Sequence, residues 1–170
     1  MRKFYLMLAL LITMPVLMQG QVAKYKAVFT LNFIRYIGWP EAARQGDFVI
    51  GVLQDSDIAR RIDQQTGGKK FGFQDVVVKQ FNSLDEVTDC QVLFVSDGVN
   101  FSRNAAQIKQ KLGDNSLIVT ESEGATEYGA MINFVVRDEV LKFEIHKGNA
   151  SSKGLQISSR LENMSSAIVL

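Results

Sequence analysis

Apolar and polar residues recur along this chain with spacings that mark out its elements. From Tyr25 to Pro40, Val22, Tyr25, Phe29, Phe33 and Tyr36 fall on one face when placed at about 100° per residue, with Asn32 at its edge. Val28, Leu31 and Ile34 add apolar residues on the other side, broken only by Lys24, Arg35 and the Lys26/Thr30 pair. The pattern predicts a helix that is buried on two sides or docks onto something. Gly38 is expected to take a left-handed conformation at the helix end, and Pro40 cannot continue a helix. The only Trp of the chain, Trp39, lies between them.

Phe48 to Leu53 is a continuous apolar run, the mark of a strand covered on both faces. Asp55, Ser56 and Asp57 then offer caps for a helix carrying Ile58, Ala59 and Ile62, closed by Gly67-Gly68. Further strands are expected over Gln74–Phe81, Gln91–Val95 and Ser116–Thr120. Between them lie a short capped helix at Ser83–Glu86 and a longer one over Phe101–Leu112. Strand and helix alternating at this interval imply right-handed βαβ units and a mainly parallel sheet. The pattern then changes. Met131–Val136 and Val140–Ile145 read as a hairpin turning at Asp138-Glu139, a poor two-residue turn. Ser159 and Glu162 suggest a last capped helix with Leu161, Met164 and Ile168 on one face. The expected fold is a single-domain α/β three-layer sandwich. Its mainly parallel sheet has about six strands with a C-terminal antiparallel hairpin, and helices lie on both faces.

Composition changes the picture at the N-terminus. Arg2 and Lys3 precede an apolar run from Leu6 to Met18, with the small Gly20 near a plausible cut. This reads as a secretory signal peptide over residues 1–20, with the domain over 21–170. The 170 residues carry a net charge of +1 with both signs dispersed, which gives no electrostatic footprint for nucleic acid. Cys90 is the only cysteine, so no intramolecular disulfide is available. It opens an apolar run and reads as a small buried hydrophobe.

Catalytic patterns are absent from the sequence. The strand ends read QDSD, SDG and TESEG, which are neither dinucleotide fingerprints nor phosphate loops. Asp55, Asp57, Asp97, Glu121 and Glu123 could converge on a divalent cation. Each also stands where it caps or flanks a helix, and that use is favoured, so no metal and no cofactor is expected. The single histidine, His146, has no partner for zinc binding or nucleophilic catalysis and reads as a strand-end residue. The expectation is a protein that is not an enzyme.

Several blocks together resemble one family. They are Lys26-Ala27, Asn32-Phe33 and Trp39-Pro40 within the opening segment, Phe48–Val52, Cys90–Ser96, Gly129–Phe134 with Leu141–Ile145, and Gly154–Leu161. They stand in the order found in the YfiR-like proteins and cover almost the whole mature chain. The resemblance implies a periplasmic α/β domain of a Gram-negative bacterium that binds and inhibits an inner-membrane diguanylate cyclase, and so controls cyclic di-GMP and biofilm formation. Two departures stand out. His146 replaces the Asn that usually ends the second hairpin strand, and a lone Cys90 cannot supply the cysteine pairs of the best-known members.

The sequence therefore suggests a non-catalytic regulator whose partner is an inner-membrane sensor with a periplasmic domain, a diguanylate cyclase or a sensor kinase. A homodimer through the same helix is a further use. The surface expected for partner binding is Lys24, Val28, Leu31, Arg35 and Trp39, with the Tyr25/Phe29/Phe33/Tyr36 face packed on the sheet. The alternative is a periplasmic small-ligand binding module feeding an envelope sensor or transport system. Its ligand would sit at the strand carboxyl ends near Asp55, Asp97 and Glu121.

Overall fold

The computed structural model describes residues 20–169; the expected signal segment, Gly20 aside, lies outside them. Helix α1 covers 20–36 and passes directly into β1 (Ile37–Gly38). The central elements follow as β2 (Phe48–Leu53), α2 (Ser56–Thr66), β3 (Lys70–Phe71), β4 (Gln74–Phe81), β5 (Val92–Val95), α3 (Phe101–Lys111) and β6 (Leu117–Thr120). The hairpin strands β7 (Ile132–Arg137) and β8 (Val140–His146) lead into α4 (Lys147–Ser152), β9 (Gln156–Ile157), α5 (Ser159–Met164) and β10 (Ala167–Val169).

Eight strands form one sheet in the order β10-β8-β7-β6-β5-β2-β4-β3. From β4 to β7 every neighbour is parallel. The chain leaves β2 for β4 on one side, then returns past β2 to β5, β6 and β7 on the other. Helix α2, which makes the first connection, packs in the same core cluster as α1, whereas α3 packs in the cluster on the opposite face. The change of face at the reversal of direction is what crossovers of one hand require. The expected three layers and parallel sheet are present. The two strands beyond the expected six are the short edge strands β3 and β10, too brief to leave a period in the sequence. A separate two-stranded ribbon joins β1 to β9.

Helix α1 buries a stripe turned partly away from the expected face: Phe33 is fully buried and Phe29 and Tyr36 pack partly on the core, but Tyr25 does not. The side chains with no exposure are Ala27, Thr30 and Phe33, and Ile34 and Ile37 are buried beside them. Phe33 sits against Phe143 (4.8 Å between ring centres) and Phe134 (5.5 Å), and Phe29 lies 5.7 Å from Phe143. Tyr36 is half-buried, and Tyr25 is 54% exposed. Small Ala27 and Thr30 let the helix approach the sheet closely, and this draws the buried stripe away from Tyr25.

The helix end also differs from expectation. Gly38 is extended and belongs to β1, paired with Gln156. A Cβ there would lie 3.1 Å from the Gln156 Cβ, so glycine serves close approach and not a left-handed cap. Two of the last free carbonyls of α1 are satisfied from elsewhere in the chain. The Trp39 indole N–H donates to Ile34 O (3.0 Å), and Ser158 N–H donates to Tyr36 O (3.1 Å). Trp39 is buried, edge-on to Phe48 at 5.0 Å.

At the C-terminus, Ser158 rather than Ser159 caps α5, accepting from Leu161 N–H. Ile168, expected on that helix, lies in β10 opposite Ile145. Ser166 N–H bonded to Phe143 O (2.8 Å) draws the last residues onto the sheet edge. The hairpin closes on Asp138 and Glu139, both with positive φ (53° and 61°), the geometry of a tight primed turn built without glycine.

Candidate functional site

The carboxyl ends of the parallel strands are where a sheet of this order holds ligands, above all at the point where strand order reverses between β2 and β5. Here that point is closed by the protein itself. Gln54, with φ of 59°, donates its N–H to Phe81 O (2.9 Å), and its own carbonyl accepts from the Ser96 hydroxyl (3.2 Å). Asp55 caps α2, its carboxylate accepting from Ile58 N–H at 2.9 Å. Arg61 and Arg60 bind the Asp57 carboxylate and hold it below its ordinary range. Neither acid reaches a shared site.

An open cleft of about 670 Å³ lies further along, at the ends of β5 and β6 and beside the outer half of β7. Asp97 and Glu121 both line it. The Asp97 backbone N–H donates to Glu121 Oε1 (3.1 Å), while Lys26 reaches from α1 to bind Glu121 Oε2. The Glu121 side chain is only 6% exposed, and burial pushes its carboxyl above the ordinary range against the pull of Lys26. Below it, the Thr120 hydroxyl donates to Asn133 Oδ1 at 2.7 Å, both side chains buried. Of the three ligand candidates, Asp97 and Glu121 are therefore brought together, and Asp55 stands apart as a cap. Lys26 and Arg137, absent from the sequence-based set, belong to the cleft. Lys26 stood out in the sequence only within the Lys26-Ala27 block of the family resemblance, which says nothing of its pairing with Glu121.

The four outer residues of α1 are placed on its solvent side or its margin. Lys24 and Arg35 are exposed and Val28 is half-buried. Leu31 packs partly against the core. Trp39, the fifth residue of that set, is buried in the core and holds the helix end. It is not available as a contact, because its ring and its N–H are both engaged internally.

Other features of chemical interest serve the structure. His146 ends β8 and caps α4, with Nδ1 accepting from Asn149 N–H (3.2 Å). Asn, the usual residue at this place in the resembling proteins, is also an N-cap residue, so the substitution preserves the work of the position. Cys90 is buried, and burial pushes its thiol up to about 12. Among the described residues no three His, Cys, Asp or Glu side chains group as a metal site, and no helix is long and apolar enough to cross a membrane.

The family model described as YfiR/HmsC-like matches residues 23–166. The chain belongs to this family. YfiR/HmsC-like proteins are periplasmic regulators of membrane sensors, regulatory rather than catalytic. No curated protein matches the chain. Among solved structures, one described as the ABC domain in complex with L-Trp from Streptococcus pneumonia is similar with a TM-score of 0.50 at 12% identity. The match covers 71% of this YfiR/HmsC-like chain and 55% of that one, and at such identity it shows the fold alone.

Proposed function

We propose that this protein is a non-catalytic periplasmic regulator that binds the periplasmic part of an inner-membrane diguanylate cyclase and holds it inactive, lowering cyclic di-GMP. The observation that carries this reading is the family match, which runs through nearly every described element from α1 to α5. The solvent side of α1 supports it, with Lys24 and Arg35 exposed and Val28 between them, a surface free to meet a partner. Deleting the gene tests the reading: cellular cyclic di-GMP and biofilm should rise, and unchanged levels would overturn it. A sensor kinase in place of the cyclase would show as altered kinase output with cyclic di-GMP unchanged.

A second reading, a small-ligand module feeding an envelope sensor or transport system, is favoured by the cleft beside Asp97 and Glu121. It predicts a rise in melting temperature with some metabolite at millimolar concentration, and a flat screen would remove it.

A further inference from the structure

The cleft at the end of β6 is bounded by an open strand edge. The ladder between β6 and β7 ends at the pair Thr120–Asn133, but β7 continues to Arg137. Beyond Thr120 the chain leaves the sheet, passing through Gly124 at φ of 66° into the short 3₁₀ helix Ala125–Tyr128. Phe134 to Arg137 therefore has β8 on one side and, among the described residues, no strand on the other. Phe134, Val135, Val136 and Arg137 all line the cleft. Successive strand residues point to opposite faces, so a cavity touching four in a row touches the backbone edge itself.

The register says which backbone groups face it. A two-residue turn makes Arg137 and Val140 a hydrogen-bonded pair, so alternate residues 135, 133 and 131 also bond to β8. His146 N–H bonded to Met131 O at 2.8 Å has that parity. Phe134 and Val136 turn their N–H and C=O groups the other way; the Phe134 N–H meets Thr120 O in the last β6 pair, which leaves Phe134 C=O and both backbone groups of Val136 facing the cleft.

The walls of this edge differ in character. On the α3 side stand Glu123 and Glu127, with Asp97 at the end of β5; none of these three joins an ion pair among the described residues. The two cations of the cleft are already engaged, Lys26 with Glu121 and Arg137 with Glu144. On the α1 side lie the apolar Phe134, Leu141 and the 70% exposed Val136.

We infer that this cleft receives an extended basic segment of the protein's partner, which adds to the sheet as a short strand beside β7. Its backbone pairs with Phe134 and Val136, alternate basic side chains meet Glu123 and Glu127, and the intervening apolar ones cover Val136 and Leu141. Main-chain pairing gives such an interaction affinity, and the alternating side chains give it specificity. The inference rests on the reading of this protein as a regulator that binds another protein, and it names the chemistry of the piece that is bound.

The test uses the mature protein and two capped peptides, acetyl-Lys-Val-Lys-Val-Lys-Val-Lys-amide and its counterpart with Glu for Lys. The basic peptide should bind in calorimetry at low salt, weaken with added salt, and protect the Val136 amide from hydrogen exchange. Val136→Pro removes an edge N–H that β8 does not use, so the strand tolerates it, and binding should fall about tenfold or more. Glu123→Lys with Glu127→Lys, both exposed positions, should reverse the preference between the peptides. Equal binding of both peptides, unchanged binding by the variants, or no binding at millimolar peptide overturns the inference. So does protection confined to residues outside β7. If Val136→Pro still lowers cyclic di-GMP as fully as the parent, the strand site fails while the regulator survives. If gene deletion leaves cyclic di-GMP and kinase output unchanged, the regulator fails whatever the peptides do.

Discussion

Glu121 shows how one residue couples two elements. Burial raises its pKa above the usual 4.5, and Lys26 opposes that rise without cancelling it. A carboxyl with a raised native pKa binds more protons folded than unfolded, so its contribution to stability is lost as pH climbs from about 4.5 through the native value. Glu121→Gln should remove this slope and change stability at pH 7 by no more than about 1 kcal/mol, because an amide keeps the shape without the desolvated charge. Lys26→Met should cost about 1–3 kcal/mol at pH 7 and less at pH 4, where Glu121 takes up a proton. Denaturant unfolding at pH 4, 5.5 and 7 distinguishes the two variants. Cys90 gives a second residue-level expectation. With its thiol pushed up to about 12, roughly one in ten thousand is ionised at pH 8. Thiol reagents should leave the native protein unlabelled and label it fully in denaturant; rapid native labelling would show that the site opens.

At the scale of elements, the stop of α1 and the turn of the hairpin are the informative cases. Gly38-Trp39-Pro40 reads as a helix stop in the sequence, and a stop is there. Its mechanism was not legible, because the groups that satisfy the helix end are the Trp39 indole, which folds back, and Ser158, about 120 residues later in the chain. Trp39→Phe keeps the ring against Phe48 but leaves the buried Ile34 carbonyl without its donor, at a cost of about 1–3 kcal/mol in equilibrium unfolding. The Asp138-Glu139 turn was legible as a turn from its position between two apolar runs, but its conformation was not. Both residues hold positive φ, which glycine adopts without strain. Glu139→Gly should therefore raise stability by about 1 kcal/mol; a loss would mean the Glu139 side chain makes contacts that outweigh its backbone strain.

For the whole molecule, the sheet divides α1 into an inner face and an outer one, and the partner contact proposed for this helix falls on the outer. Lys24→Glu with Val28→Glu should leave the melting temperature within a few degrees of the parent, since neither side chain is core, yet abolish inhibition of the partner in cells. Full inhibition by that variant would place the contact elsewhere. Leu31→Glu is a poorer probe, because Leu31 packs partly against the core and its replacement disturbs fold and surface together. Local periodicity by itself determined the order of the main strands and helices, the parallel class of the sheet and the hairpin, because apolar spacing, caps and turn residues act within a few positions of one another. Only the tertiary structure decided which face of α1 is buried, since closeness to the sheet selects small Ala27 and Thr30 over large Tyr25. It alone placed Asp97 and Glu121 together with Lys26, and it alone left the outer half of β7 with no second strand beside it among the described residues. Those outcomes depend on where distant strands end relative to one another, and no local spacing records that.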